Sequence, residues 1–75
     1  MALEDVNFFD VESSNVAQIG YDGDEMVLYV RFNKGPLYYY EGVPPDVWDE
    51  FVYTDSKGKF IWTHLRDRYP YGRIE

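Results

Sequence analysis

An aromatic segment held between glycine and proline residues constrains this chain more than any other feature. Tyr38, Tyr39 and Tyr40 follow Gly35-Pro36 and precede Pro44-Pro45. Aromatic side chains lose rotamer freedom in a helix, whereas they fit the half-buried surface of a strand. Proline cannot donate to a strand ladder, so the prolines mark both ends of the segment. The sequence therefore predicts a strand with Tyr38 and Tyr40 on one face and Tyr39 on the other.

Two earlier segments alternate between apolar and polar residues and also predict strands. The first covers Asn15–Tyr21 and the second covers Glu25–Asn33. The turn signals are Asp22-Gly23-Asp24, where glycine takes positive φ freely and aspartate bonds its own backbone, and Asn33-Lys34-Gly35. Turns this short connect antiparallel neighbours. The face of the second strand expected to meet the core is Met26, Leu28, Val30 and Phe32.

The residues after the prolines have the spacing of two short amphipathic helices. Pro44 or Pro45 suits the first turn of a helix, where its missing N–H is not needed. The two apolar stripes are Val47, Trp48, Phe51 and Val52, then Phe60, Ile61, His64 and Leu65. Proline excludes a helix through Tyr69–Gly72, which we expect to be a closing turn. The predicted fold class is α+β, a three-stranded antiparallel meander followed by two short helices packed on one sheet face (β-β-β-α-α).

Chain length and composition bound the organisation. A chain of 75 residues predicts a single domain, which we place at residues 14–75 after a leader of residues 1–13. The leader could be an ordered edge segment, a helical turn or a tail, and Phe8-Phe9 favours partial docking. The chain has no cysteine, starts with acidic residues and lacks an apolar run of the roughly 20 residues a membrane span needs. We therefore expect a cytoplasmic protein.

Charge is distributed unevenly along the chain. Residues 1–55 contain twelve acidic and two basic side chains, a net charge of −10, whereas residues 56–75 contain two acidic and five basic ones, a net charge of +3. The sum is −7. An anionic ligand needs only one positive surface, so we expect it near the carboxyl-terminal part of the chain.

The segment Ser56-Lys57-Gly58-Lys59 is the first candidate site. At the start of a helix, free N–H groups and the helix dipole favour an anion, and Gly58 lets a ligand approach the backbone closely. Lys57 and Lys59 reach the same anion only if the helix begins at or after Gly58. The alternative is a structural cap with solvated lysines.

A second candidate interleaves basic and aromatic side chains at Arg66, Arg68, Tyr69, Tyr71 and Arg73. This pattern suits stacking on bases together with neutralisation of phosphates. The alternative is that the tyrosines pack on the sheet while the arginines pair with the acidic excess. Tyr38 and Tyr40 could add a stacking platform, or they could form an outer layer covered by the leader.

No residue pattern predicts catalysis. His64, the only histidine, lies on an apolar stripe and is expected to be packed or half-buried rather than a general base. Asp22–Glu25 lacks the later ligands of a calcium loop and is expected to be a plain hairpin turn. We therefore expect no enzyme activity, no cofactor and no metal site.

Four stretches of the chain, taken in order, resemble the KTSC domain family. They are Ser14-Asn15-Val16 with Ile19–Asp22, Tyr38–Tyr40 with Gly42-Val43-Pro44, Ser56–Phe60, and Tyr69-Pro70-Tyr71. The family takes its name from the carboxyl terminus of some lysyl-tRNA synthetases and also occurs as small stand-alone bacterial and phage proteins. The resemblance implies a small domain with a central Tyr-x-Tyr, for which RNA binding has been proposed, and it implies no catalytic residues.

The sequence thus predicts a non-enzymatic binding module for a phosphate-bearing ligand, either RNA or a nucleotide. The predicted ligand-binding residues are Lys57, Gly58, Lys59, Arg66, Arg68, Tyr38, Tyr40, Tyr69 and Tyr71. The alternative is an acidic module that binds a basic protein partner or forms a homo-oligomer, and a nucleic-acid mimic of the phage type belongs to this alternative. One contiguous basic and aromatic cleft favours the first hypothesis, whereas scattered bases and a flat acidic face favour the second.

Overall fold

The computed structural model describes residues 6–74. In chain order they form β1 (Phe8–Asp10), β2 (Val16–Asp22), β3 (Val27–Phe32), β4 (Leu37–Glu41), α1 (Pro45–Tyr53), α2 (Lys57–Phe60), a π-helical turn (Ile61–Leu65) and β5 (Tyr71–Arg73). The first five residues of the leader, 1–5, and residue 75 lie outside the described range. Among the described residues, no helix is long and apolar enough to cross a bilayer.

The strands form one antiparallel sheet of five strands in chain order, β1-β2-β3-β4-β5. Its three central strands correspond to the predicted meander. The prediction of a three-stranded sheet was wrong at both edges, because the leader contributes β1 and the segment after the helices contributes β5. Each edge strand has only 3 residues, too few to show a periodic pattern.

The last strand replaces the closing turn that the sequence predicts over Tyr69–Gly72. Tyr71 lies opposite Tyr40, and Gly72 lies opposite Tyr39, in an antiparallel ladder with β4. As expected, no helix runs through Pro70, and the helical segment has already ended at Leu65. The extended backbone that proline favours then lets the following residues add to the sheet edge.

One face of the sheet packs against the helices and holds the larger core. Leu28, Val30 and Phe32 of β3 lie on this face, as predicted. Phe51 of α1 and Leu65 of the π-helical turn pack onto it and are fully buried. Burying one such apolar side chain stabilises a fold by about 1.5–3 kcal/mol relative to leaving it exposed. We call this face the front of the sheet.

Met26 does not belong to the front core, although the sequence pattern places it there. Its φ is +55° and its side chain is 41% exposed. It follows a turn in which Asp22 Oδ1 accepts hydrogen bonds from the N–H groups of Asp24 (3.0 Å) and Glu25 (3.2 Å). The predicted hairpin turn is therefore confirmed, and β3 begins after it at Val27.

A bulge in β2 changes which of its residues face the core. The ladder to β3 shifts between Val16 and Gln18, which leaves Ala17 as an extra residue. Simple alternation puts Val16 and Ile19 on opposite faces, but the bulge brings both into the front core.

The back of the sheet is also buried, which the sequence analysis does not predict. This back core consists of Val6, Val27, Tyr29 and Leu37. Tyr29 is only 1% exposed, and Val6 of the leader is 7% exposed. The described part of the leader is therefore an ordered edge segment that packs against the back core. It does not cover Tyr38 and Tyr40, which lie on the front face with the helices.

Helix α1 begins as predicted, with Pro45 at its first helical position. Its Trp48 stacks on Tyr21 of β2, with ring centroids 5.3 Å apart. Phe51 contacts Phe60 of α2 at the same centroid distance, 5.3 Å. These aromatic contacts fix α1 and α2 against the front of the sheet.

Candidate functional site

A groove of about 580 Å³ lies between the front of the sheet and the helical segment after α1. Three walls surround it: one from β3, β4 and β5, one from α2 and the π-helical turn, and one from the loop before β2 with the β3–β4 turn. We call it the aromatic groove, after the side chains Phe32, Tyr38, Tyr40, Trp62 and Tyr71 that line it.

The strand wall is a continuous set of aromatic rings. Tyr38 meets Phe32 edge to face, with centroids 5.4 Å apart. Tyr71 lies 6.4 Å from Tyr38 and stacks on Tyr40 at 5.6 Å. The arrangement follows from the ladder, because β5 places Tyr71 directly opposite Tyr40. Strand β5 is therefore essential to this wall.

The helical wall carries a stacked pair of side chains. The guanidinium of Arg66 lies 4.1 Å from the centroid of the Trp62 ring, a cation–π geometry. Residues four apart on a helical turn are neighbours. The turn here is π-helical, since the N–H of Arg66 donates to the carbonyl of Ile61 at 2.8 Å. Trp62 is 64% exposed, so the pair lies at the rim of the groove.

The loop wall is fixed by hydrogen bonds to the β3–β4 turn. Asn33 Nδ2 donates to the carbonyls of Ser13 (3.2 Å) and Ser14 (2.9 Å). The N–H of Asn33 donates to the carbonyl of Asn15 at 2.9 Å. Asn15 and Lys34 both line the groove from this wall.

The groove is locally positive on a strongly acidic chain. Lys34 and Arg66 are its charged lining residues, and no acidic side chain from the described range lines it. The chain as a whole has 14 acidic side chains and a net charge of −7. The acidic side chains of the described range therefore lie outside the groove.

Tyr40 forms the base of the strand wall and stays uncharged. It is 3% exposed. Burial raises the pKa of Tyr40 to about 12, Tyr71 and Tyr38 add to the increase, and Arg66 opposes it. At neutral pH Tyr40 thus presents a neutral ring at the base of the wall.

The structure brings together residues from both sequence candidates. Gly58 comes from the first candidate, Arg66 and Tyr71 come from the second, and Tyr38 and Tyr40 supply the predicted platform. All five line the aromatic groove. Of the predicted basic and aromatic residues, Arg66 and these three tyrosines thus share one cleft.

Lys57 lies elsewhere, and it matches neither the predicted anion site nor the predicted cap with solvated lysines. Its side chain is 8% exposed, and Nζ donates to the carbonyls of Val52 (3.0 Å) and Thr54 (2.6 Å). Burial lowers the pKa of Lys57, and the charge of Asp55 opposes that decrease. A cation on the last carbonyls of a helix stabilises its carboxyl end. Lys57 therefore joins α2 to the end of α1.

The start of α2 also differs from the prediction. The helix begins at Lys57, after Ser56, and no side chain caps it. The predicted start at or after Gly58 is therefore wrong by one residue, and the turn that would let two lysines share an anion does not form. The ammonium of Lys57 is instead occupied at the end of α1.

The other predicted ligand residues do not line the groove. Lys59 and Arg68 are exposed, and Tyr69 packs partly against the front core. His64 is exposed rather than half-buried, although one face of its ring is packed as predicted. Its ring stacks on Phe60 at 4.3 Å, and its Nδ1 lies 2.7 Å from the hydroxyl oxygen of Thr63.

Asn15, Lys34 and Trp62 are among the groove residues that the sequence did not predict. The four-residue spacing of Trp62 and Arg66 was the available signal for one of them. Lys34 looked like an ordinary turn residue. Asn15 could only be found through the fold, because its loop is distant in sequence from the helical wall.

Comparison with known proteins agrees with this architecture. The KTSC domain pattern matches residues 12–69. A protein of Tsukamurella paurometabola is 39% identical over 59 residues, which cover 79% of this chain and 88% of that protein. A protein of Stutzerimonas stutzeri is 38% identical over 66 residues, which cover 87% of this chain and 93% of that protein.

The fold is similar to the crystal structure of a KTSC domain protein from Yersinia pestis, with a TM-score of 0.86 and 31% sequence identity. The likeness covers 93% of this chain and 99% of the other. Residues from all four stretches that resemble the family meet at the aromatic groove: Ser14, Asn15, Tyr38, Tyr40, Gly58 and Tyr71. The chain belongs to the KTSC domain family.

Proposed function

We propose that the protein is a non-enzymatic cytoplasmic module that binds a nucleotide unit, free or within single-stranded RNA, in the aromatic groove. One observation carries the proposal. The groove combines a continuous aromatic wall with two cations and no described acidic lining residue, on a chain of net charge −7. A nucleotide has the complementary features, a flat base and a phosphate.

The base would stack on the exposed part of the strand wall. Tyr71 is 45% exposed and Tyr38 is half-buried, whereas Tyr40 is buried beside them. The first two rings can therefore contact a ligand while the third supports them. Base–aromatic stacking contributes about 1–3 kcal/mol per base. The groove volume of about 580 Å³ falls within the range of roughly 300–1,000 Å³ that is usual for small-ligand sites.

The phosphate would lie between Arg66 and Lys34, which approach from different walls. The stack on Trp62 holds the guanidinium in place before any ligand arrives, which lowers the entropy cost of binding. The net charge of −7 repels RNA at long range, but salt screens charges beyond about 10 Å at 0.1 M. Affinity would therefore come from these short-range contacts.

Free nucleotides and RNA both supply this chemistry. Unpaired nucleotides of a folded RNA are one source within our proposal. A duplex is a poor fit, because its bases are stacked on each other and cannot reach the tyrosine rings.

The proposal is tested by fluorescence anisotropy with a short labelled single-stranded RNA. We expect binding to the single strand, competition by nucleoside monophosphates and weak binding of the matched duplex. Tyr38→Ala should weaken binding by removing a stacking ring. The matched control is Tyr53→Ala, since Tyr53 is 84% exposed and lies outside the groove.

Salt dependence tests the cationic contacts in the same assay. Rising salt weakens phosphate contacts but also screens the repulsion by the acidic chain, so the comparison of variants is more informative than the absolute slope. Arg66→Met and Lys34→Met should each make the log–log salt slope shallower by roughly 0.7. Absence of binding by both RNA and nucleotides at low salt contradicts the proposal, as does binding that Tyr38→Ala and Arg66→Met leave unchanged.

A second candidate function is an acidic module that docks a basic protein segment. A shallow depression of about 560 Å³ between α1 and the helical segment after it is lined in part by Asp49, Glu50 and Tyr53. Two carboxylates beside an exposed ring suit a lysine or arginine side chain. A labelled arginine-rich peptide tests this candidate: Tyr53→Ala should weaken its binding and Lys34→Met should not. Self-association through this surface would increase the mass with concentration in sedimentation experiments.

A further inference from the structure

The backbone of Asn15 is fixed from two directions. Its N–H donates to Ser13 Oγ at 3.2 Å, and its carbonyl accepts from the N–H of Asn33 at 2.9 Å. The side-chain amide of Asn33 also donates to the carbonyls of Ser13 and Ser14, the two residues before Asn15. The position of the Asn15 side chain is therefore set by main-chain contacts that do not depend on its amide.

The amide of Asn15, in contrast, has no hydrogen-bond partner among residues 6–74. It lies against Gly58 of the helical wall: a Cβ atom built on Gly58 would be 2.8 Å from Asn15 Nδ2. Only glycine leaves this space at position 58. Both residues line the aromatic groove, so the structure places an unused amide there and keeps room for it.

We propose that Asn15 reads the hydrogen-bonding edge of the bound base and so determines base preference. This inference rests on the proposed nucleotide-binding function of the same groove. The strand wall offers ring faces, which every base can stack on, and Lys34 and Arg66 offer charge for phosphate; neither distinguishes bases strongly. A carboxamide presents one donor and one acceptor side by side, which can pair with adjacent groups on a base edge.

The neighbouring polar side chains of the groove are less suited than Asn15 to pair with a base edge. The NH₂ group of Asn33 is already used on the carbonyls of Ser13 and Ser14. The hydroxyl of Ser14 offers only one oxygen. Asn15 is therefore the groove residue with both a free donor and a free acceptor next to each other.

The test measures dissociation constants of the four nucleoside 5′-monophosphates for wild-type protein, Asn15→Ala and Asn15→Asp. We expect wild-type protein to prefer one base by about tenfold, the usual scale of one to two good hydrogen bonds. Asn15→Ala should bind all four with similar constants, near that of the weakest wild-type ligand. Asn15→Asp keeps size and acceptors but loses the donors, so it should change the order of preference.

A second variant, at Gly58, tests the Asn15 amide without changing Asn15 itself. Gly58→Ala puts a methyl group where Nδ2 lies and should displace the amide, with a loss of preference like that of Asn15→Ala. Helix propensity favours alanine over glycine, so this variant should stay folded. Thermal unfolding of all three variants checks folding directly.

The possible outcomes distinguish a failure of this inference from a failure of the proposed nucleotide-binding function. If wild-type protein binds none of the four nucleotides, the inference is overturned, and the proposed function fails with it when single-stranded RNA does not bind either. If nucleotides bind but wild-type protein shows no preference, or if folded Asn15→Ala keeps the wild-type ratios, the inference is overturned while the proposed function stands. Equalised constants in Asn15→Ala together with retained binding support it.

Discussion

Arg66 and Trp62 form a stacked pair at the rim of the aromatic groove, with the guanidinium 4.1 Å from the indole ring centroid. The π-helical turn places both side chains on the groove side of the helical segment. π-helical turns are rare and often occur at functional sites. This pair supplies a preorganised cation and an exposed ring at the same place.

Truncation of the Trp62 ring should weaken RNA binding with little effect on stability. Trp62→Ala removes both a stacking surface and the support of Arg66, so we expect RNA affinity to fall by about 5- to 150-fold, from roughly 1–3 kcal/mol of stacking. Stability should change by less than about 0.5 kcal/mol, as usual for exposed positions. Anisotropy and thermal unfolding measure the two quantities. A Trp62→Ala protein with wild-type affinity would remove the helical wall from the site.

Lys57 should behave as a scaffold residue. Lys57→Met keeps most of the apolar stem but loses the hydrogen bonds to Val52 and Thr54, and the net loss for hydrogen bonds to a charged group is about 1.5–3 kcal/mol. Lys59→Met, on an exposed neighbour, is the matched control. Urea unfolding should show the loss for Lys57→Met alone, with RNA affinity unchanged in the folded protein. Unchanged stability combined with weaker binding would instead support the anion site predicted from the sequence.

Close packing of Gly72 under Tyr39 should make β5 sensitive to one methyl group. A Cβ on Gly72 would lie 2.7 Å from Tyr39 Oη and 2.8 Å from Cε2, so the ring must move. We expect Gly72→Ala to cost about 1–3 kcal/mol through overpacking and to weaken RNA binding, because β5 carries Tyr71. Gly23→Ala, whose Cβ would have 3.8 Å to its nearest neighbour, is the control. Equal unfolding midpoints for the two variants would contradict the β4–β5 packing.

Alkaline pH should destabilise the strand wall. The folded protein holds the Tyr40 proton more tightly than the unfolded chain, because burial raises its pKa from 10.0 to about 12. The raised pKa of Tyr40 therefore contributes to the free energy of unfolding in one direction. The contribution is complete below pH 10 and is lost as the pH rises through about 12. Tyr40→Phe should reduce that loss. Burial also raises the pKa values of Tyr21 and Tyr29, so part of the pH dependence remains. Denaturant unfolding across this pH range measures it, and identical profiles for both proteins would refute the assignment to Tyr40.

The central part of the fold was predictable because its signals are local. Leu28, Val30 and Phe32 alternate over enough residues to define a face, and Pro45 marks the start of α1. The edge strands and the bulge at Ala17 have no comparable signal. Three residues cannot establish a period, and the bulge becomes visible only as a shift in pairing with the neighbouring strand.

The type of site was easier to predict from the sequence than the residues that form it. Tyr38, Tyr40 and Tyr71 follow from aromatic patterning, and Arg66 follows from the basic end of the chain. The sequence could not show that the Lys57 ammonium bonds the end of α1, since a lysine near a helix start fits either role. Asn15 joins the groove only through the sheet and the turn that holds its loop. Such long-range placement is a property of the tertiary fold.

The two tryptophans provide the most direct test of the groove. Trp62 lines it, whereas Trp48 stacks on Tyr21 and does not. In a titration of ¹⁵N-labelled protein with a single-stranded oligoribonucleotide, the Trp62 indole N–H resonance should shift and saturate while the Trp48 indole resonance stays in place. Two fixed resonances at saturating RNA, or a shift confined to Trp48, would contradict nucleotide binding in the aromatic groove.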